Sequence, residues 1–191
     1  MHLTEKIKSL LLEDHQETVF ISQNISDWKG EYALPCEISN YYEVVGPKWL
    51  HIDLGFIAFD FPPLAELWSQ QGGYYWDTRN NIRINNWNTR WLILADSDGD
   101  PLIYEIDTGH ILFDRHGRET WNPVKLFDNL ECMLTCLCIL ASFIKDAGDE
   151  IAENDFIIPT KYVEKMRHYL IEMFGETASD CIISTFEITS E

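Results

Sequence analysis

The stretch Arg90–Trp121, RWLILADSDGDPLIYEIDTGHILFDRHGRETW, decides the fold. It contains three apolar runs, Trp91–Ala95, Leu102–Ile106 and His110–Phe113, rich in the β-branched and aromatic side chains that suit a pleated, packed surface. Asp96-Ser97-Asp98-Gly99-Asp100-Pro101 separates the first two runs, and Asp107-Thr108-Gly109 the second and third. Gly99 and Gly109 reach positive φ cheaply, and the aspartates can bond turn amides. Gaps this short join antiparallel neighbours, since a parallel pair needs a long crossover. The spacing predicts an antiparallel meander.

Upstream, Leu34–Gly46 reads as a capped helix. Pro35 suits a first helical position, and Glu37 suits the positive end of the helix dipole. Ile38, Tyr41, Tyr42 and Val45 share one face, and Gly46-Pro47 ends the run. Trp49–Phe61 predicts one or two strands broken near Gly55, and Pro62-Pro63 opens a short helix over Leu64–Gln70. Tyr74–Asn88 (YYWDTRNNIRINNWN) reads as a loop with a weak strand, carrying Arg79 and Arg83. Further back, Leu3, Ile7, Leu10 and Leu11 recur at helical spacing, and Val19–Ile21 is a brief strand or a linker.

Downstream, Asn122-Pro123 is a turn. A long helix is expected from Leu126, because Leu126, Phe127, Leu130, Met133, Leu134, Leu137, Leu140, Ala141 and Ile144 keep helical period. It is apolar nearly all round over Cys132–Ile144, as a helix buried against a sheet would be. Lys145–Asp155 is an acidic loop. Pro159 opens an amphipathic helix with Tyr162, Val163, Met166, Leu170 and Phe174 inward, ending at Gly175. The tail Cys181–Ile188 is expected as an edge strand, with helix as the other reading.

A chain of 191 residues, 46% hydrophobic, is expected to fold as one domain around a substantial core. Its core would cover about residues 34–145, with a helical extension over about 146–191. The longest apolar block is too short for the roughly 20 residues of a spanning helix, and with no early apolar run before a small-residue cleavage site no secretory leader is expected. A cytoplasmic protein with no membrane contact is expected. Its five cysteines, at 36, 132, 136, 138 and 181, follow neither a redox nor a zinc spacing and read as reduced, small packing residues. Fourteen basic against 32 acidic residues give a net charge of −18. That disfavours direct nucleic-acid binding, which needs a basic footprint. It serves solubility, or attracts a basic partner.

Polar clusters offer little chemistry. Asp96-x-Asp98-x-Asp100 has the opening of an EF-hand loop, but Pro101 stands where that loop needs glycine, and its bidentate glutamate is absent. His51 and Asp53 share one side of a strand without further ligands nearby in sequence. Asp114, His116 and Glu119 could supply an acid–base pair from a polar turn, but no nucleophile motif, zinc motif or phosphate loop accompanies them. No cofactor, metal or catalytic residue is assigned.

Two stretches together resemble the SUKH superfamily, the group that includes the fungal Smi/Knr cell-wall regulators. Leu34-Pro35-x-Glu37, Tyr41-Tyr42 and Gly46 are similar to its helix motif. Trp91–Asp96, Gly99–Tyr104, Gly109-x-Ile111 and His116-Gly117 are similar to its meander. The likeness covers roughly residues 34–145; Val45-Gly46-Pro47 departs from the family's usual Asn-Gly ending, and the chain beyond about 146 has no counterpart. The resemblance implies an α+β fold, a curved antiparallel sheet flanked by N- and C-terminal helices. It also implies a non-enzymatic protein binder, in bacteria an immunity protein that neutralises a cognate toxin, often a nuclease. A regulatory scaffold with another partner is the alternative, and an enzyme using His116 with Asp114 or Glu119 the more remote one. For a basic toxin, the expected contacts are exposed acids and aromatics around the sheet: Tyr75, Trp76, Trp87, Asp98, Asp100 and Glu105.

Overall fold

A computed structural model describes residues 20–148, 150 and 158–188. The elements, in chain order, are α1 (Cys36–Val44), β1 (Leu50–Asp53), β2 (Ala58–Phe61), α2 (Leu64–Leu67), β3 (Trp76–Asp77), β4 (Ile82–Arg83) and β5 (Trp91–Ser97). There follow β6 (Asp100–Glu105), β7 (Ile111–Phe113), β8 (Val124–Phe127), α3 (Leu130–Ala147), α4 (Thr160–Phe174) and α5 (Glu176–Thr185). The expected helix at Leu3–Leu11 lies outside the described residues; of the acidic loop expected over Lys145–Asp155, Lys145–Ala147 are instead the end of α3, and most of the rest lies outside the described residues.

The fold is α+β. β1-β2-β5-β6-β7-β8 form one antiparallel sheet of six strands, and β3 and β4 a separate hairpin. At the β5–β6 turn, Ser97 pairs with Asp100 across Asp98 (φ 51°) and Gly99 (φ 98°). Two successive positive-φ residues give the turn twist that matches paired strands, and Asp with Gly supplies it at low cost.

One face of the sheet carries Leu50, Ile52, Phe59, Phe61, Leu92, Leu94, Leu102, Tyr104, Ile111 and Phe113 into the main core. α3 lies on this core through Leu130, Met133, Leu134, Leu137 and Leu140, and α1 through Ile38, Tyr41 and Tyr42. Tyr162, Met166 and Leu170 of α4, and Ile182 of α5, join the same cluster, so the extension shares the core. Each such side chain contributes roughly 1.5–3 kcal/mol on full burial.

Glu37 joins three elements. One carboxylate oxygen accepts the Tyr104 hydroxyl (3.0 Å), and the other accepts the backbone N–H of Leu130 (3.3 Å), at the first turn of α3. A carboxylate there meets unpaired amides and the positive end of the helix dipole. Asn129 completes the cap by accepting from the Cys132 N–H (2.8 Å). The helix therefore begins at Leu130, and Leu126 and Phe127, expected in its first turn, belong to strand β8.

The tail also departs from expectation. Cys181–Ile183 lie in helix α5, whose buried Ser179 and Ile182, with Phe186 just beyond its end, keep a helical spacing of three and four. Arg115 fixes its end by donating to the Thr185 carbonyl (3.0 Å) and pairing with Glu187 (3.3 Å).

Candidate interaction surface

The strands of the meander are apolar on both faces. Ile93, Ile103 and Leu112 point away from the helices and would meet water if that face were open. They are covered by Tyr75 and Trp87, with Trp68, Tyr74, Trp76, Trp91 and Trp121 packed around them. The rings meet at tilted or edge-on angles: Trp87–Trp91 at 5.3 Å, Trp87–Trp121 at 5.5 Å, Tyr74–Trp87 at 5.2 Å. The 74–88 segment is thus a second core layer. Tyr75 (8% exposed) and Trp87 (3%) are buried, not displayed, because they pack directly on Ile93, Ile103 and Leu112.

Two side chains tie this layer to the sheet. The Tyr74 hydroxyl donates to Asp96 (2.5 Å), whose other oxygen accepts the Gly99 N–H (2.9 Å). Burial, then this bond to Asp96, hold the Tyr74 phenol far above its ordinary pKa. Gln71 is wholly buried, and its amide mimics a strand. Its Oε1 accepts the Ile93 N–H (2.9 Å), and its Nε2 donates to the Ile93 and Leu67 carbonyls (3.0 and 2.8 Å). β2 pairs with β5 only at Asp60 and Asp96, so Gln71 supplies the partner that Ile93 lacks.

The polar end of the sheet is built around Asp100, which is 8% exposed and so not the surface acid expected. The side-chain oxygen Oδ1 accepts the His116 backbone N–H (2.8 Å) and faces His116 Nδ1 at 2.7 Å; Oδ2 lies 3.7 Å from Arg115. His116 is therefore paired with Asp100. Asp114 is buried and organises its own loop, accepting from the Asn122 N–H (2.6 Å) and the Arg115 N–H (2.9 Å); Glu119 is exposed. The acid–base grouping of His116 with Asp114 or Glu119 does not form, because both Asp114 oxygens are turned to loop amides.

Of the other expected contacts, Asp98 is exposed at the turn and Trp76 is half-buried. Glu105 is also partly exposed and accepts the Thr108 hydroxyl (2.7 Å). His51 pairs with Asp60 across the β1–β2 hairpin (2.8 Å), and Asp53 accepts the Gly55 N–H (2.7 Å). A cleft of about 410 Å³ is lined by residues of this hairpin, the β5–β6 turn and the loop after β7, including Asp53, Asp60, Asp98, Asp100, His116 and Glu187. The cleft can accept cations and hydrogen-bond donors. Sequence reading singled out Asp98 and Asp100, but Asp60 and Glu187 come together only through strand pairing and the C-terminal helix.

Among the described residues no group of three or more His, Cys, Asp and Glu side chains is placed to hold a metal ion. None of their helices is long and apolar enough to cross a membrane. The chain matches no protein-family model, no curated protein and no solved structure.

Proposed function

We propose that the chain is a SUKH-type, non-enzymatic binding protein of the cytoplasm, and that it serves as an immunity protein against a basic protein toxin. The bond from Tyr104 to Glu37 carries the reading. It spans 67 positions and joins the two stretches, helix and meander, on which the resemblance rests. Glu37 of the Leu-Pro-x-Glu motif then has a physical task, capping α3 while holding the meander. The net charge of −18 and the acidic cleft favour a basic partner, whose approach such a field accelerates. A toxin that grips nucleic acid presents such a surface.

The test is co-expression with the product of the adjacent gene, followed by co-purification at low and high salt. The reading expects rescue of growth and a complex whose affinity falls as salt rises. Absence of both with that neighbour would reject it as the target, and pull-down of an unrelated regulator would support a scaffold instead. An acid–base role retains one supporting observation, the His116–Asp100 pair beside the cleft. His116→Ala tests the acid–base reading, since an enzyme would lose a measured turnover while still folded and a binder has no turnover to lose.

A further inference from the structure

Cations are scarce in this chain, and four of its six arginines have a carboxylate. Arg90 pairs with Asp107, Arg115 with Asp100 and Glu187, Arg118 with Asp114, and Arg167 with Asp180. The two remaining arginines, Arg79 and Arg83, both stand on the β3–β4 hairpin. Each is exposed and has no carboxylate partner among the described residues. Ile82, beside Arg83, is 63% exposed, more than any other large apolar side chain described.

The base of this hairpin is firmly held. Tyr75 is buried, Trp76 meets Trp68 at 5.0 Å, and the Ile84 N–H donates to the Tyr75 carbonyl (2.9 Å). Arg83 lies over the Tyr75 ring at 4.9 Å. A firmly held aromatic base bearing two arginines and an exposed isoleucine has the composition of a binding hot spot, with its backbone already ordered before association.

The same chain carries a surface complementary to it. The 410 Å³ cleft has Asp53, Asp60 and Asp98 among its lining, none of them paired with a lysine or arginine among the described residues; Arg115, also in the lining, is taken up by Asp100 and Glu187, and Phe56 and Ile57 add apolar surface. The hairpin lines no part of that cleft. We propose that two copies of the chain associate reciprocally, each placing Arg79, Ile82 and Arg83 of its hairpin into the other's acidic cleft. The exchange is two-fold symmetric, so it closes as a dimer and does not propagate into filaments. Arginine forks against carboxylates fix the orientation, and Ile82 against Phe56 and Ile57 supplies apolar contact.

Sedimentation velocity on the full chain alone, from low to high micromolar, tests this without any other partner, so its result is independent of the immunity reading. The wild type should show a concentration-dependent dimer. Arg79→Glu with Arg83→Glu should weaken it about tenfold or more, and so should Asp60→Lys with Asp98→Asn, where Asn tolerates the positive φ of the turn. A mixture of these two variants should dimerise again, because both contacts of the mixed pair are then complementary. All the substituted side chains are exposed, and circular dichroism checks that each variant is folded. Monomeric wild type throughout, a charge variant that dimerises as the wild type does, or a mixture that stays monomeric would each overturn the proposal.

Discussion

Replacing Gln71 by leucine tests whether one buried amide acts as a strand. Leucine nearly preserves the packing volume but removes all three bonds, leaving the Ile93 N–H and the Ile93 and Leu67 carbonyls without them. A buried backbone group left unpaired costs roughly 1–3 kcal/mol, so the two groups of Ile93 alone give a loss of about 2–6 kcal/mol, a large share of the 5–15 kcal/mol typical of a domain. Urea unfolding should show this as a lower midpoint with an unchanged slope. Gln71→Glu refines the test. A glutamate in this buried position would face two carbonyls that accept no bond from a carboxylate, so its folded pKa lies above its unfolded value near 4.3. Its penalty relative to wild type should be small below that unfolded value and grow as pH rises through the folded one. A loss under about 1 kcal/mol for Gln71→Leu, or a Gln71→Glu penalty that is flat with pH, would refute the strand-mimic account.

Three other outcomes are expected. Glu37→Ala should cost about 1–3 kcal/mol, and a double-mutant cycle with Tyr104→Phe should show coupling, since the two side chains share one bond. Tyr32, Tyr41, Tyr42, Tyr74 and Tyr104 have pKa values raised chiefly by burial, so stability should be intact below the unfolded tyrosine value of about 10 and fall as pH rises above it. Alkaline titration should therefore show tyrosinate absorbance rising together with loss of structure, and tyrosinate forming at these positions in intact protein would contradict it. Alkylation of native protein, mapped by mass spectrometry, should label exposed Cys36 first and spare buried Cys136 and Cys138, with burial also raising the Cys136 thiol.

The meander was readable because its signals are local: Asp98-Gly99 dictates a two-residue turn, and the apolar runs have strand length. The helix faces of α1, α3 and α4 were readable from period alone. At two places the local pattern suits both helix and strand. Leu126 and Phe127 stand four and three residues before Leu130 and so continue a helical pattern, and only Asn129, a cap residue, marks the break. Cys181-Ile182-Ile183 has strand-like local composition, which the burial pattern of α5 overrides. The aromatic layer was missed although a signal existed. Strands apolar on both faces require two covers, and after the helices take one face, the tryptophan-rich 74–88 segment is the cover left. Nothing local marks Gln71 or the pairing of His116 with Asp100, since both depend on contacts set by the folded chain.

The sparse pairing of β2 with β5 bears on how the molecule folds and opens. β5 to β8 follow one another in sequence and pair with their immediate neighbours, so they can assemble early through short loops. The β1–β2 hairpin must instead wait for closure of the 62–90 excursion, and it meets the meander at a single registered pair reinforced by the Gln71 amide. The sheet is thus expected to open as two units along that line. Native-state hydrogen exchange should release the amides of β1 and β2 at lower free energy than those of β5 and β6, so that the acidic cleft, with one wall in each unit, opens along the same line.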